Sequence, residues 1–271
     1  MINMSDEEFK LLSFYIKENS GINLRKEKKA LLVGRLNNML LELGMDNFMD
    51  YYKYLQNNTQ GEELSKLIDK VTTNHTFFMR EAEHFNYFTE TVLPYFRKTI
   101  KDRDFRIWCA ASSSGEEPYT LAILLDEFFK PTGEIWDKKL LATDLSLKAL
   151  EDAKRGIYNY EHISSLPKLW VLNYFDKISQ TEYQVKNEMR KEVIYRRFNL
   201  LESVFPFKKK FHVIFCRNVM IYFDNPTKEA LLNKLYDSLD YGGYLFIGHS
   251  ESINREKTRF KYIKPAVYRK I

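Results

Sequence analysis

The sequence predicts an α/β fold in which a doubly wound, mostly parallel sheet follows a small helical module. Residues 1 to about 70 show helical periodicity without a strand pattern, whereas from residue 105 onward apolar strand-like runs alternate with helical segments. Two short runs at 260–262 and 266–269 predict a closing antiparallel pair. In such folds ligands bind at the carboxyl edge of the sheet, so we expect the functional residues there.

The composition is that of an ordinary soluble protein, with 44% hydrophobic and 29% charged residues among 271. The net charge of +5 permits an acidic partner but does not demand nucleic acid. The two cysteines, Cys109 and Cys216, lie in predicted strands, and we expect reduced thiols. Because no secretory signal or long apolar run is present, we expect a cytoplasmic protein that does not insert into a membrane.

The N-terminal module predicts helices that begin at Ser5, about Lys26, Asn47 and Gly61. The second of these, which ends near Leu43, is basic in its first half. Helical spacing places much of this charge on one face. The basic residues are Arg25, Lys28, Lys29 and Arg35. This face is either simply solvated or a docking surface for an acidic partner.

A polar stretch, TTNHTFFMRE at 72–81, precedes a helix predicted over Phe85 to Phe96. Its first five side chains can form hydrogen bonds, and its second half contains two aromatic residues and an Arg–Glu pair. The stretch either caps the helix or places Asn74, Thr76 and Arg80 in a ligand pocket.

The stretch from Phe105 to Glu117, FRIWCAASSSGEE, predicts a strand, a tight loop of small residues and the start of a helix. Small side chains let a ligand approach the backbone closely. Glu116 and Glu117 would repel a pyrophosphate, which prefers bare N–H groups at a helix N-terminus. They suit a ligand with an ammonium, hydroxyls or a sulfonium, such as S-adenosylmethionine (SAM). Alternatively, they are ordinary helix-capping acids.

Two later stretches extend this pattern. The strand KKLLATD ends in Asp144. Its spacing from Gly115 along the sequence is about that at which an acid at the end of the second strand binds ribose hydroxyls. Residues 182–198 alternate around Asn187 and predict a short charged hairpin on the main sheet. A buried strand from Phe211 then leads into a polar loop, which ends at Asp224.

Six motifs occur in order over about residues 70–251: TTNHTFFMRE, RIWCAASSSGEEPYTLAI, ATDLS, FNLL, FCRNVMIYFD and GYLFIGHSES. Together they resemble the CheR family, the bacterial chemotaxis receptor glutamate methyltransferases. The helical module is also similar to that family, notably in GINL. The resemblance covers nearly the whole chain. It implies a Rossmann-like SAM-dependent methyltransferase fold that converts receptor glutamates to carboxyl methyl esters.

The resemblance also implies roles for individual residues. The implied cofactor-binding residues are Asn74, Thr76, Arg80, Gly115, Glu117, Asp144, Asn199, Leu200, Arg217 and Asn218. Arg80 and Tyr222 are implied at the catalytic centre, where Arg80 would orient the substrate carboxylate and Tyr222 would lie near the transferred methyl. The implied cofactor is SAM, the product is S-adenosylhomocysteine, and no metal is expected.

The expected domains are a helical docking domain at 1–70, a linker helix at 71–98 and a SAM-binding domain at 99–271 with an inserted hairpin at about 180–198. The expected partners are the cytoplasmic domains of methyl-accepting chemoreceptors, bound by a monomer through the basic face of the second helix. Two features depart from the family. Ala110-Ala-Ser-Ser-Ser114 replaces the usual residues before Gly115, and the predicted hairpin is short and lacks glycine. The second departure argues against docking of a receptor tail peptide.

Two other functions stay open from the sequence. An RNA methyltransferase would fit the basic pI of about 8.9. However, enzymes that methylate base amino groups commonly carry Asn/Asp-Pro-Pro-aromatic where this chain has Cys216-Arg-Asn-Val219, and no basic strip interleaved with aromatic residues is present. The other alternative is a catalytically idle SAM-binding scaffold.

Overall fold

Helices form the N-terminal part of the chain. The computed structural model describes residues 2–58, 61–72 and 75–271. The helices of the N-terminal part are α1 (Asp6–Ser20), α2 (Lys29–Glu42, after a 3₁₀ turn at Lys26–Lys28), α3 (Phe48–Asn57) and α4 (Glu62–Val71). The predicted helical module is confirmed. In the described ranges no helix combines the length and apolar character needed to cross a membrane.

A continuous helical segment then links this module to the sheet. It consists of α5 (Ala82–Tyr87), a π-helical turn (Phe88–Val92) and α6 (Leu93–Thr99). Phe88 packs edge-on against Phe215 of the sheet, with ring centroids 5.5 Å apart. This packing fixes residues 75–81, which precede α5, beside one edge of the sheet.

The remaining elements alternate between strands and helices. In chain order they are β1 (Ile107–Ala110), α7 (Glu116–Phe129), β2 (Leu140–Asp144), α8 (Leu147–Arg155), β3 (Ile157–Asn159), α9 (Tyr160–Ile163), α10 (Lys168–Tyr174), β4 (Phe175–Lys177), β5 (Glu182–Val185), α11 (Asn187–Lys191), β6 (Val193–Arg197), β7 (Phe211–Cys216), α12 (Asn225–Ser238), β8 (Leu239–Phe246), β9 (Lys261–Lys264) and β10 (Val267–Arg269).

The main sheet of the described residues has seven strands in the order β6-β2-β1-β7-β8-β10-β9. Neighbouring strands from β6 to β8 are parallel, and β10 pairs antiparallel with both β8 and β9. The α/β class and the closing antiparallel pair are therefore as predicted. The chain leaves β1 toward β2 on one side and returns to β7 on the other, which creates a crevice at the carboxyl ends of these strands.

The structure corrects the prediction of a hairpin over residues 182–198. β5 is the central strand of a separate antiparallel sheet, β3-β5-β4, and the short helix α11 follows it. β6 instead joins the main sheet, where Val193 pairs with Leu140 of β2 in parallel. The β subdomain is thus a small sheet rather than a hairpin. The argument against tail-peptide docking loses its basis, since it rested on that hairpin.

Apolar side chains cover both faces of the main sheet. Along β1, Ile107 and Cys109 belong to the cluster on one face, and Trp108 and Ala110 belong to the cluster on the other. The second cluster also contains Leu12, Ile16 and Leu36 from the N-terminal helices. These helices therefore share a hydrophobic core with the sheet, which holds their ends against its carboxyl edge.

Candidate functional site

A cavity of about 280 Å³ lies at the carboxyl ends of the parallel strands. Its walls come from the loops that follow β1, β2, β6 and β7 and from residues 75–85. Ser20 at the end of α1, Ile22 just beyond it and Ile68 of α4 also line it. The cavity thus occupies the predicted crevice, and the N-terminal module contributes to its lining.

The loop after β1 lines the cavity with small residues, Ala111, Ser112 and Ser113. Ala111 and Ser113 adopt left-handed conformations, with φ of 62° and 48°. The Ser112 and Ser113 hydroxyls are buried and have no hydrogen-bond partner among the described residues. Gly115 closes the loop with φ +100°, and a Cβ there would lie 2.9 Å from the Tyr158 hydroxyl. Gly115 therefore shapes the loop from behind and is not among the cavity-lining residues.

Asp144, at the end of β2, stabilises the same loop through hydrogen bonds. Its carboxylate accepts the N–H of Ser113 at 2.8 Å and the N–H of Ser146 at 2.9 Å. Burial raises the pKa of Asp144, and these backbone donors oppose the rise. The carboxylate also lines the cavity, where its remaining lone pairs can accept hydrogen bonds from hydroxyl groups of a ligand.

Arg217, just after β7, connects three segments at the floor of the cavity. Its Nη1 lies 2.5 Å from Oε2 of Glu117, and its Nη2 lies 3.0 Å from Oε2 of Glu81. Nη2 also donates to the carbonyl of Arg80 at 2.5 Å. Burial opposes the charge of Arg217, but the Glu117 and Glu81 carboxylates outweigh it and raise its pKa. The guanidinium therefore stays charged and fixes both acids.

Arg80 and Thr76 reach the cavity from the segment before α5. The Arg80 guanidinium donates to the carbonyl of His75 at 2.5 Å and lies 6.0 Å from the ring centroid of Phe77. Glu81 pairs with Arg217 rather than with its neighbour Arg80. Arg80 thus lies at the cavity lining. Asn74, which the sequence placed beside it, lies outside the described residues.

The loop after β7 is shaped by Glu251, a residue that the sequence analysis missed. The Glu251 carboxylate accepts four backbone N–H groups, those of Asn218, Met220, Ile221 and Gly248, at 2.6–3.2 Å. Asn218 itself has φ 59° and lines the cavity together with Tyr222. The only sequence signal for this role is an acid shortly after a buried strand, which does not reveal partners that are backbone groups.

The loop after β6 forms a more apolar wall. Phe198 and Leu200 line the cavity with Asn199 between them. The Asn199 side chain donates to the carbonyl of Asn19 at 2.8 Å and accepts the N–H of Leu201 at 3.0 Å. Asn199 therefore also attaches this loop to the end of α1.

None of the four basic residues predicted for docking lines the cavity. Lys29 pairs with Asp6 at 2.6 Å. Arg35 donates to the carbonyls of Lys70, Val71 and Thr72 at 2.9–3.2 Å, and so it caps the end of α4. Arg25 and Lys28 are exposed. The basic face therefore divides into two residues engaged within the module and two that face solvent.

Two models of one protein family match this chain. Residues 74–269 match the family described as CheR methyltransferase, SAM binding domain, and residues 7–72 match CheR methyltransferase, all-alpha domain. A chemotaxis protein methyltransferase of Borreliella burgdorferi is 42% identical over 99% of this chain and 96% of its own length. The chemotaxis protein methyltransferase of Escherichia coli is 33% identical over 98% of this chain and 91% of its own length.

Among solved structures, the glycopeptide N-methyltransferase MtfA complexed with sinefungin is similar at a TM-score of 0.34 and 14% identity. That similarity covers 59% of this chain and 48% of the other.

Proposed function

The chain belongs to the CheR methyltransferase family, and from this premise we propose that it transfers a methyl group from SAM to glutamate side chains of chemoreceptor cytoplasmic helices. The products would be glutamate methyl esters and S-adenosylhomocysteine. One observation carries the proposal. A single cavity holds two carboxylates suited to the cofactor, those of Glu117 and Asp144, and the two residues suited to methyl transfer, Arg80 and Tyr222.

The residues of the cavity fit SAM. Ala111, Ser112 and Ser113 are small residues of the cavity lining, so a ligand can approach the backbone of this loop closely. Asp144 can accept from ribose hydroxyls, Glu117 can hold the ammonium of the methionine part, and Phe198 and Leu200 can contact the adenine ring. SAM, when bound, supplies an electrophilic methyl group on a sulfonium.

The acceptor chemistry needs little from the protein beyond placement. A glutamate side chain has an ordinary pKa of about 4.3, so it is already anionic at neutral pH and needs no general base. Arg80 would hold this carboxylate by paired N–H donors, and alignment of the reacting groups is a large term in such reactions. Tyr222, at the same cavity, would exclude water and place its ring face or its hydroxyl near the sulfonium.

Receptor docking would involve the exposed part of the basic face. Arg25 and Lys28 are exposed, and the target residue is itself acidic, so attraction between them would steer the receptor helix. Since α1 and α4 reach the cavity lining, a helix held on the N-terminal module would lie close to the cavity.

Radiolabelled methyl transfer tests the proposal directly. Purified full-length protein is incubated with labelled SAM and either a receptor cytoplasmic fragment or RNA, and the label is then exposed to mild base. We expect incorporation into the fragment alone, with release in base, because a carboxyl ester hydrolyses and a methylated amine does not. Label in RNA would support the nucleic-acid alternative, and SAM binding without transfer to either substrate would support an idle scaffold.

A further inference from the structure

Glu81, His84 and His249 form a compact group beside the cavity. They come from the residue before α5, from α5 itself and from the turn after β8. One potential ligand atom of each lies within 4.8 Å of those of the others. The Glu81 Oε2 is 3.5 Å from Nδ1 of His84, and the two imidazole centroids are 4.5 Å apart. None of the three lines the cavity, so the group is separate from the proposed SAM site.

His84 is the unusual member of this group. Its side chain is only 1% exposed, yet neither ring nitrogen has a hydrogen-bond partner in the described ranges. A buried polar group without a partner is energetically unfavourable. The rings of Phe246 and His249 pack against it and satisfy neither nitrogen. The imidazole therefore lies among groups that leave its lone pair available.

We propose that Glu81, His84 and His249 bind a divalent transition-metal ion such as Zn²⁺. Two imidazoles and one carboxylate are a ligand set that zinc uses, whereas Mg²⁺ and Ca²⁺ prefer oxygen ligands alone. Tetrahedral zinc places neighbouring ligand atoms roughly 3.3 Å apart, given bonds of about 2.0–2.1 Å. Since His249 is exposed, rotation of its side chain can close the group to that spacing and leave the fourth position to water.

The charges around the group determine how tightly it can bind a cation. Arg217 already lies 3.0 Å from Oε2 of Glu81, and it opposes a second cation there, as does the more distant Lys264. Glu117 offsets Arg217, because it pairs with the other side of the same guanidinium. A bound cation would draw Glu81 away from Arg217. The site is therefore coupled to Glu117 and to the cavity, and metal binding should change SAM affinity.

Metal titration of the full-length protein tests the proposal. Calorimetry with Zn²⁺ and absorption spectroscopy with Co²⁺ should show one site per chain, and Zn²⁺ should raise the melting temperature by linkage. His249→Ala should weaken Zn²⁺ binding at least tenfold and abolish the thermal shift. This variant is the primary test because His249 is exposed and its loss should not affect folding. His84→Phe, which keeps a ring against Phe246, should have the same effect.

His162→Ala is the matched control, since His162 is also exposed but lies outside the group. It should leave the Zn²⁺ isotherm and the Co²⁺ spectrum unchanged. Absence of Zn²⁺ binding in the unaltered protein would overturn the proposal. Equal binding by the His249→Ala variant would also overturn it, as would a loss of binding confined to His162→Ala.

Discussion

Arg217 and Glu117 form an ion pair whose Nη1–Oε2 distance is 2.5 Å, and it joins the loop after β7 to the first turn of α7. The Cys109 thiol donates to the other carboxylate oxygen of Glu117 at 2.9 Å. Glu117 is therefore fixed at both oxygens before any ligand arrives. A preorganised acid of this kind binds a ligand ammonium without first losing side-chain entropy.

The cofactor site is tested by conservative changes at its two acids. Asp144→Asn and Glu117→Gln should each weaken SAM binding by ~1.5–3 kcal/mol, the range for a lost hydrogen bond to a charged group. Isothermal titration calorimetry with SAM and with S-adenosylhomocysteine measures the effect. Glu83→Gln, at an exposed acid outside the cavity, is the control. Unchanged affinity in both folded variants would show that these acids do not hold the cofactor.

The proposed catalytic pair predicts a different kinetic pattern. Arg80→Ala should lower kcat more than it changes SAM affinity, because its guanidinium is proposed to hold the substrate carboxylate. Tyr222→Phe separates the hydroxyl from the ring, and Tyr222→Ala removes both. Single-turnover methyl transfer, compared with SAM titration of the same samples, separates the two effects. Transfer at the unaltered rate by folded alanine variants of both residues would refute these roles.

Much of the fold follows from local sequence signals. The strand, loop and helix at 105–129 were predictable because strand formers, small loop residues and helical periodicity follow one another without conflict. The hairpin prediction was wrong for a physical reason. Strands β5 and β6 are close in the sequence, but they pair with β3 and β2, at Ile157 and Leu140. Such long-range pairing is decided by packing, which local alternation does not report.

The same distinction applies to the site. Asp144 ends β2 and Glu117 lies in the first turn of the helix that follows β1, and residues in these positions of an α/β sheet lie at the ligand-binding edge. Ser20 and Ile22 gave no signal, because they reach the cavity only through the packing of α1 on the sheet. Glu251 was also missed, since its partners are backbone N–H groups that any sequence could supply.

Glu251 predicts a link between loop geometry and activity. Glu251→Gln keeps the side-chain shape but replaces one acceptor oxygen with an NH₂ group, which would face backbone donors. We expect a loss of ~1–3 kcal/mol in unfolding free energy and a fall in kcat, since Asn218 and Tyr222 lie on the loop it shapes. Urea unfolding and methyl transfer measure the two effects. Glu256→Gln, at an exposed acid of the same region, should change neither. A stable and fully active Glu251→Gln variant would contradict this role.

The buried imidazole of His212 should make the stability of the fold depend on pH. Burial, followed by the charge of Arg106, lowers its pKa to about 4, and its ring nitrogen Nδ1 accepts the backbone N–H of Arg106 at 3.0 Å. The unfolded chain would bind a proton near pH 6.5, so the folded state loses stability as pH falls from 6.5 toward 4. For one histidine, the unfolding free energy changes by at most ~1.4 kcal/mol per pH unit.

Urea unfolding of the unaltered protein and of His212→Gln, at several pH values between 4.5 and 7.5, isolates this contribution. Buried acids with raised pKa values, such as Asp144 and Glu251, act in the opposite sense but equally in both proteins. The variant should be less stable at pH 7.5 and show a shallower loss below pH 6.5. Parallel curves for the two proteins would exclude His212 as the source.

Receptor docking is tested at the exposed part of the basic face. Individual contacts between exposed charges are worth only ~0.2–1 kcal/mol, but several together can set encounter rate and register. Arg25→Glu combined with Lys28→Glu should raise the receptor KM several-fold and leave SAM affinity unchanged. Added salt should have a similar effect on the unaltered protein, because the Debye length is only about 8 Å near physiological ionic strength.

Arg35 and two remote lysines supply the controls. Arg35→Ala should lower the unfolding free energy, because it removes the donor to three carbonyls at the end of α4, and any rise in receptor KM would follow from that loss. Lys168→Glu combined with Lys191→Glu changes the net charge equally at exposed positions of the other domain. If this control raises the receptor KM as much as reversal at Arg25 and Lys28, the effect is one of net charge. Docking through the N-terminal face would then be refuted.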